Sequence, residues 1–135
     1  MYSAALDRHD LFKWFLICVM NKYSDFTGRA CRKEFWMYML ISFLFSLTFL
    51  TLSVIASTIA VSLGMLFALL YVVISLALIC PTLALSVRRL HDVGKSGWWL
   101  LIGLIPIVGG LYLLHLFSRR GLPGSNPYGP APKGR

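Results

Sequence analysis

Hydrophobic residues do not alternate with polar ones along this chain; they come in long runs that charge only punctuates. From residue 35 to residue 87 stand 53 consecutive residues without a charge, and a second uncharged run of 23 residues covers 96–118. A bilayer-crossing helix needs about 20 apolar residues at about 1.5 Å of rise each. The first run is too long for one helix and predicts two, over 35–55 and 63–87, joined by a Ser-, Thr- and Ala-rich turn at 56–62. The second predicts a third apolar segment over 98–117, broken by Pro106, Gly109 and Gly110, because proline withholds a backbone donor and paired glycines permit a bend. Ahead of these, residues 6–20 place Leu11, Trp14, Phe15, Cys18 and Val19 on one helical stripe, with Asp7, Arg8, Asp10 and Lys13 elsewhere. Too short and too charged to span, that stretch predicts an amphipathic helix lying in the membrane interface, the alternative being a helix packed on the protein itself. Eight of the last 15 residues are Gly or Pro, which predicts an irregular, exposed tail.

The fold class that follows is an all-α integral membrane protein: an interfacial helix over residues 1–22, a single transmembrane domain over 23–120 with three spanning segments, and a Gly/Pro-rich tail over 121–135. Composition points the same way. With 58% hydrophobic residues, 13% charged and a mean hydropathy of +0.74, the 135-residue chain is no ordinary soluble domain and has no room for a separate soluble enzyme. Residues 1–20 do not read as a cleavable signal peptide, since charges interrupt any apolar core. Cys18, Cys31 and Cys80 form no CxxC pair and are odd in number, which argues against a disulfide framework or a zinc site.

The net charge of +8 would suit nucleic acid, but all 13 Lys and Arg flank apolar runs, as membrane-surface contacts require. Six precede the first span, none lies in the first loop, three lie in the second and four in the tail. With three full crossings, a cytoplasmic N-terminus puts more of them inside than the reverse orientation does. A re-entrant hairpin turning at 106–110 would place every one on the same side. It would need shielding by protein, so the kinked full span is the expectation.

Two polar stretches carry the candidate chemistry. In 26–36, with Thr27 as the helix cap, Arg29, Arg32, Lys33 and Trp36 fall at i, i+3, i+4 and i+7, one face that suits lipid phosphates or merely sets topology. Cations there oppose the helix dipole, so something else must favour them. Glu34 falls on another face, and a carboxylate at the membrane boundary needs a partner. In 88–99, Arg88 and Arg89 offer that partner, His91 precedes Asp92, and Trp98 and Trp99 mark the headgroup level. The first reading of these residues is a structural ion-pair network tying the helix ends together. His91 and Asp92 as an acid–base pair is the sharper one, but neighbours on a helix point about 100° apart. His115 lies close enough to the end of its segment to reach the interface. Nothing amounts to a catalytic, metal or cofactor constellation.

The ordered motifs Phe26-x-Gly28-Arg29-x-x-Arg32-x-Glu34-Phe35-Trp36, Arg88-Arg89-Leu90-His91-Asp92, Ser96-Gly97-Trp98-Trp99, Leu104-Ile105-Pro106 and Asn126-x-Tyr128-Gly129-Pro130-x-Pro132 are similar to those of a bacterial inner-membrane family, domain of unknown function 805. Lys95 and Pro127 are departures outside the core motifs. The resemblance implies a small multi-pass membrane protein of unassigned activity and carries over no catalytic residue. The expectation is a non-enzymatic inner-membrane component, without cofactor, whose basic cytoplasmic face binds anionic lipid or a partner protein, with homo-oligomers possible. The alternative is a subunit of an oligomeric small transporter or channel, disfavoured because 35–87 holds no ionisable Asp, Glu, Lys, Arg or His. A lipid-headgroup enzyme using Glu34, His91 and Asp92 ranks third.

Overall fold

The 53-residue uncharged run divides at a single residue. In the computed structural model, which describes residues 15–132, helix α1 spans Arg32–Ile59 and helix α2 spans Val61–Asp92, antiparallel to it. Ala60 between them is extended (φ −153°, ψ 132°). Its N–H closes α1 on the Ala56 carbonyl, and its own carbonyl accepts from Leu63 and Gly64 to open α2. The seven-residue turn expected at 56–62 is absent for a local reason. The hydroxyls of Ser53, Ser57 and Thr58 donate back to the carbonyls of Leu50, Val54 and Ile55, so these residues keep their polar groups inside the helix instead of ending it.

At about 1.5 Å per residue, α1 and α2 are about 42 and 48 Å long, enough to cross a hydrocarbon core of about 30 Å. Between residues 39 and 80 only Ala56 and Gly64 are buried. The aliphatic side chains therefore face outward, a surface suited to lipid and far larger than a soluble monomer exposes. Pro81, inside α2, cannot donate to the Ala77 carbonyl; the Tyr23 hydroxyl donates to it instead at 2.6 Å. One turn away, the Tyr38 hydroxyl meets Thr82 Oγ1 at 2.9 Å. These two tyrosines bind the N-terminal segment and α1 to the weakened stretch of α2.

Of the amphipathic helix expected over 6–20, residues 6–14 lie outside the described residues. From Phe15 the chain enters a π-helical turn, Ile17–Asn21, that buries Cys18 and stacks Phe15 on Tyr38 with ring centroids 5.4 Å apart. Leu16 and Met20 stay exposed. At the far end of α2 the chain closes in a Schellman motif: Gly94, at φ 75°, donates to the His91 carbonyl and Lys95 to that of Leu90.

The third apolar segment corrects the expectation of a kinked full span. Gly97–Leu104 forms a 3-10 helix, the chain reverses at 105–107, and α3, Val108–Ser118, returns beside it. Trp99 stacks on Tyr112 across the two arms, centroids 6.0 Å apart. Both ends of the segment meet the end of α2: Gly97 packs on Val87, and the Phe117 carbonyl accepts from Arg89 Nε at 3.0 Å. A full crossing would carry that carbonyl away and strand the guanidinium. Rises of about 2.0 and 1.5 Å per residue make both arms about 16 Å long, roughly half the hydrocarbon thickness.

The reversal is strained and tight. Ile107 sits at φ 63°, ψ −65°, unfavourable for a β-branched residue, in a γ-turn that Val108 N–H closes on the Pro106 carbonyl at 2.7 Å. A Cβ on Gly109 would lie 1.8 Å from the Ile102 carbonyl oxygen, whereas one on Gly110 would meet nothing within 4 Å. Gly109→Ala should therefore destabilise the protein by about 1–3 kcal/mol through steric conflict between the arms. Gly110→Ala should be neutral or stabilising by up to about 1 kcal/mol, since it removes a helical glycine. Thermal unfolding in detergent compares the two; equal effects would show that the arms do not pack this way.

Candidate functional site

Five charged side chains are out of water where the ends of α1, α2 and α3 meet. Arg88 and Arg89 are 1% and 0% exposed, Asp92 2%, Glu34 4% and Arg29 7%. Two local features of the chain bring them together. The first concerns where α1 begins. Thr27, expected to cap it, instead bonds through N–H and hydroxyl to Asp25 Oδ1, and the cap is Cys31, whose sulfur accepts from Glu34 N–H at 3.4 Å. Arg29 thus precedes the helix and does not share a face with Arg32, Lys33 and Trp36. Its loop is held to α2 by Ala30 N–H on the Arg88 carbonyl at 3.0 Å.

The second feature is that Arg88 and Arg89, being consecutive on α2, point to different partners. Arg88 Nη1 donates to Glu34 Oε1 at 2.9 Å, tying α2 to α1. Cys18 donates to the same oxygen at 3.7 Å, and Arg88 Nη2 lies 4.0 Å from its sulfur. Burial, with the Glu34 charge beside it, pushes the Cys18 thiol up to about 12, so it remains a neutral donor. Arg88 Nε has no hydrogen-bond partner among the described residues. Arg89 Nη1 donates to Asp92 Oδ2 at 2.5 Å, one turn along α2, while its Nε and Nη2 go to the carbonyls of Phe117 and Arg119.

Arg29 completes the set. Its Nε and Nη2 donate to Asp92 Oδ1 at 3.0 and 2.9 Å, and its Nη1 and Nη2 reach the carbonyls of Gly124 and Leu122 at 2.7 and 2.6 Å. Asp92 is therefore shared by two guanidinium groups. The tail is part of this construction: irregular and largely exposed, as expected, it is nonetheless anchored to the site. Leu122 N–H bonds the Asp92 carbonyl at 2.9 Å, and a Cβ on Gly121 would sit 1.9 Å from Asp92 Oδ2. Tyr128 stacks on His91 with centroids 3.9 Å apart, and Asn126 Nδ2 donates to the His91 carbonyl.

His91 and Asp92 diverge: His91 Nδ1 donates to the Gly28 carbonyl at 3.2 Å and its ring lies under Tyr128, while both Asp92 oxygens face arginines. Of the tryptophans, Trp98 is exposed and Trp99 takes Lys95 Nζ over its ring at 4.4 Å. Among the described residues no group of three His, Cys, Asp or Glu side chains is placed to hold a metal. Leu122, Gly124, Asn126 and Tyr128 were missed as site residues. The signal available was the closing Asn126-x-Tyr128-Gly129 motif, outweighed by the glycine and proline content around it.

Residues 23–130 match the family model described as Protein of unknown function (DUF805). The chain is 40% identical over 121 residues to Inner membrane protein YhaI of Escherichia coli (strain K12), an alignment covering 90% of this chain and 96% of that one. It is 36% identical over 120 residues to Inner membrane protein YhaH of the same organism, covering 89% and 96%. No solved structure matches.

Breaking a buried charge pair from one side strands the other charge, at a cost of about 3 kcal/mol or more. Glu34→Gln and Arg88→Gln should each lower stability by about that much, and the double variant should lose at least about 1 kcal/mol less than their sum. Glu34→Gln combined with Arg89→Gln should be close to additive, because Arg89 belongs to Asp92. Chemical or thermal unfolding of the four variants and the unaltered chain reads this directly. Coupling to Arg89 in place of Arg88 would refute the pairing.

Proposed function

The chain belongs to the DUF805 family, and from that premise we propose that it is a multi-pass, non-enzymatic component of the bacterial inner membrane whose basic end lies at the cytoplasmic surface and binds anionic lipid headgroups. The observation that carries this reading is the doubled-back third segment. It gathers all nine described Lys and Arg residues at one end of the molecule and leaves none at the other, around Ala60. That asymmetry is what the positive-inside rule selects, and basic clusters beside spans attract anionic leaflets at about 1 kcal/mol per cation. The relatives' names, each an inner membrane protein, support the location. On this reading α1 and α2 cross the bilayer, the hairpin enters and leaves from the cytoplasmic side, and Trp98 and Trp99 lie at the headgroups.

Two measurements test it. Reporter fusions or cysteine labelling at residue 60 and after residue 132 should place these points on opposite sides of the membrane, the second being cytoplasmic; finding both on one side would restore three full crossings. In detergent, phosphatidylglycerol should raise the melting temperature by several degrees over phosphatidylcholine, since a ligand at a hundredfold its Kd stabilises by about 2.7 kcal/mol. The shift should shrink with added salt. Equal stabilisation by both lipids would remove the lipid-binding half of the proposal.

A further inference from the structure

Six of the nine described Lys and Arg residues are left out of the buried network. Arg32 and Lys33, on the first turn of α1, and Arg120, just beyond α3, are exposed and make no ion pair among the described residues. They are nonetheless gathered. With Cys31, Asp92 and Gly121 they line a cavity of about 500 Å³ between the start of α1 and the start of the tail.

Like charges around one concavity repel, and low-dielectric walls strengthen the field they make there. Among the described lining residues the one carboxylate does not offset it. Asp92 already serves both Arg29 and Arg89, so that three-membered group carries a net positive charge. Cys31 adds no negative charge, because burial pushes its thiol up and keeps it protonated. The positive end of the α1 dipole lies at the same place, where two cations are unfavourable and an anion is favourable. Every electrostatic feature of the cavity thus asks for a negative occupant. Its volume lies within the roughly 300–1,000 Å³ of small-molecule sites and exceeds what one bare oxyanion needs. Trp36, one turn further along α1, is exposed on the same helix, in the manner of an indole at headgroup depth.

We infer that this cavity is a phosphate site, which takes the phosphodiester of an anionic lipid headgroup between Arg32, Lys33 and Arg120. The inference rests on the lipid-binding reading above and goes beyond it by assigning the contact to three residues instead of to the basic end as a whole. Arg119 provides the control: it is the neighbour of Arg120, carries the same charge and is exposed, but does not line the cavity.

The test uses the purified full chain in an uncharged detergent, titrated with dihexanoyl phosphatidylglycerol, dihexanoyl phosphatidylcholine or inorganic phosphate, with thermal unfolding as the readout. Arg32→Gln with Arg120→Gln should weaken phosphatidylglycerol binding on the order of thirtyfold, and Arg119→Gln by less than about fivefold. The unliganded melting temperature should not fall in either, since neither removes a partner, and relief of the repulsion should raise it slightly in the double variant; Lys33→Gln, expected to give an intermediate loss, serves if the double variant does not fold. Inorganic phosphate that binds with the same dependence on Arg32 and Arg120 would support the phosphate chemistry with a free anion as its source. Phosphate without effect would support the lipid as the source. Equal losses in Arg119→Gln and the double variant would overturn the cavity while leaving general lipid binding intact. No preference for phosphatidylglycerol over phosphatidylcholine in the unaltered chain would overturn both.

Discussion

Among the described residues, three guanidinium groups and two carboxylates are withdrawn from water at one end of this protein, and that imbalance governs the rest of the fold. A buried cation is tolerable only when its N–H donors are met, and Glu34 and Asp92 together cannot meet those of Arg29, Arg88 and Arg89. The shortfall is filled by backbone carbonyls: Phe117 and Arg119 for Arg89, Leu122 and Gly124 for Arg29. Phe117 lies in the last turn of the third apolar segment and the other three lie C-terminal to it. The segment therefore returns to the end of α2 from which it left, and the doubled-back form is the one that satisfies the charges.

The hairpin shape follows from that closure. Two arms of about 16 Å fit a segment that must begin and end at the same depth, and the less compact 3-10 geometry lets eight residues match the length of eleven α-helical ones. The reversal concentrates the strain at Ile107, whose side chain is 81% exposed and so meets no opposing core when the backbone turns left-handed. The absence of a side chain at Gly109 then lets the returning helix lie against the Ile102 carbonyl.

How far such a structure can be read from its residues depends on which atoms do the work. The two long helices are legible because lipid-facing apolar side chains leave an unmistakable run, and Glu34 is legible as a carboxylate in need of a cation. The doubled-back segment and the ordered tail are not, because the acceptors that hold them are backbone carbonyls, which every residue possesses and no composition reveals. Arg29 shows the same limit. Helical spacing groups it with Arg32 and Lys33, but Cys31 takes the cap and frees the preceding loop to carry Arg29 inward. In the tail, glycine density suggests freedom where it signals constraint: Gly124 and Gly129 supply positive φ angles of 73° and 128°, and Gly121 leaves room for the Asp92 carboxylate.

The division of the basic residues between inside and outside links this architecture to the proposed phosphate site. Arg29, Arg88 and Arg89 are spent internally, and their contacts run from the pre-helix loop through α2 to the tail, so the start of α1 and the residues after α3 are held at a fixed separation. Arg32, Lys33 and Arg120 stand on the two sides of that separation. A flexible tail could not keep a cation in place opposite the α1 N-terminus, and side-chain ordering would then oppose binding. Because Asp92 fastens both Arg29 and Arg89 and is itself part of the cavity wall, the group that stabilises the fold also pre-organises the exposed cations.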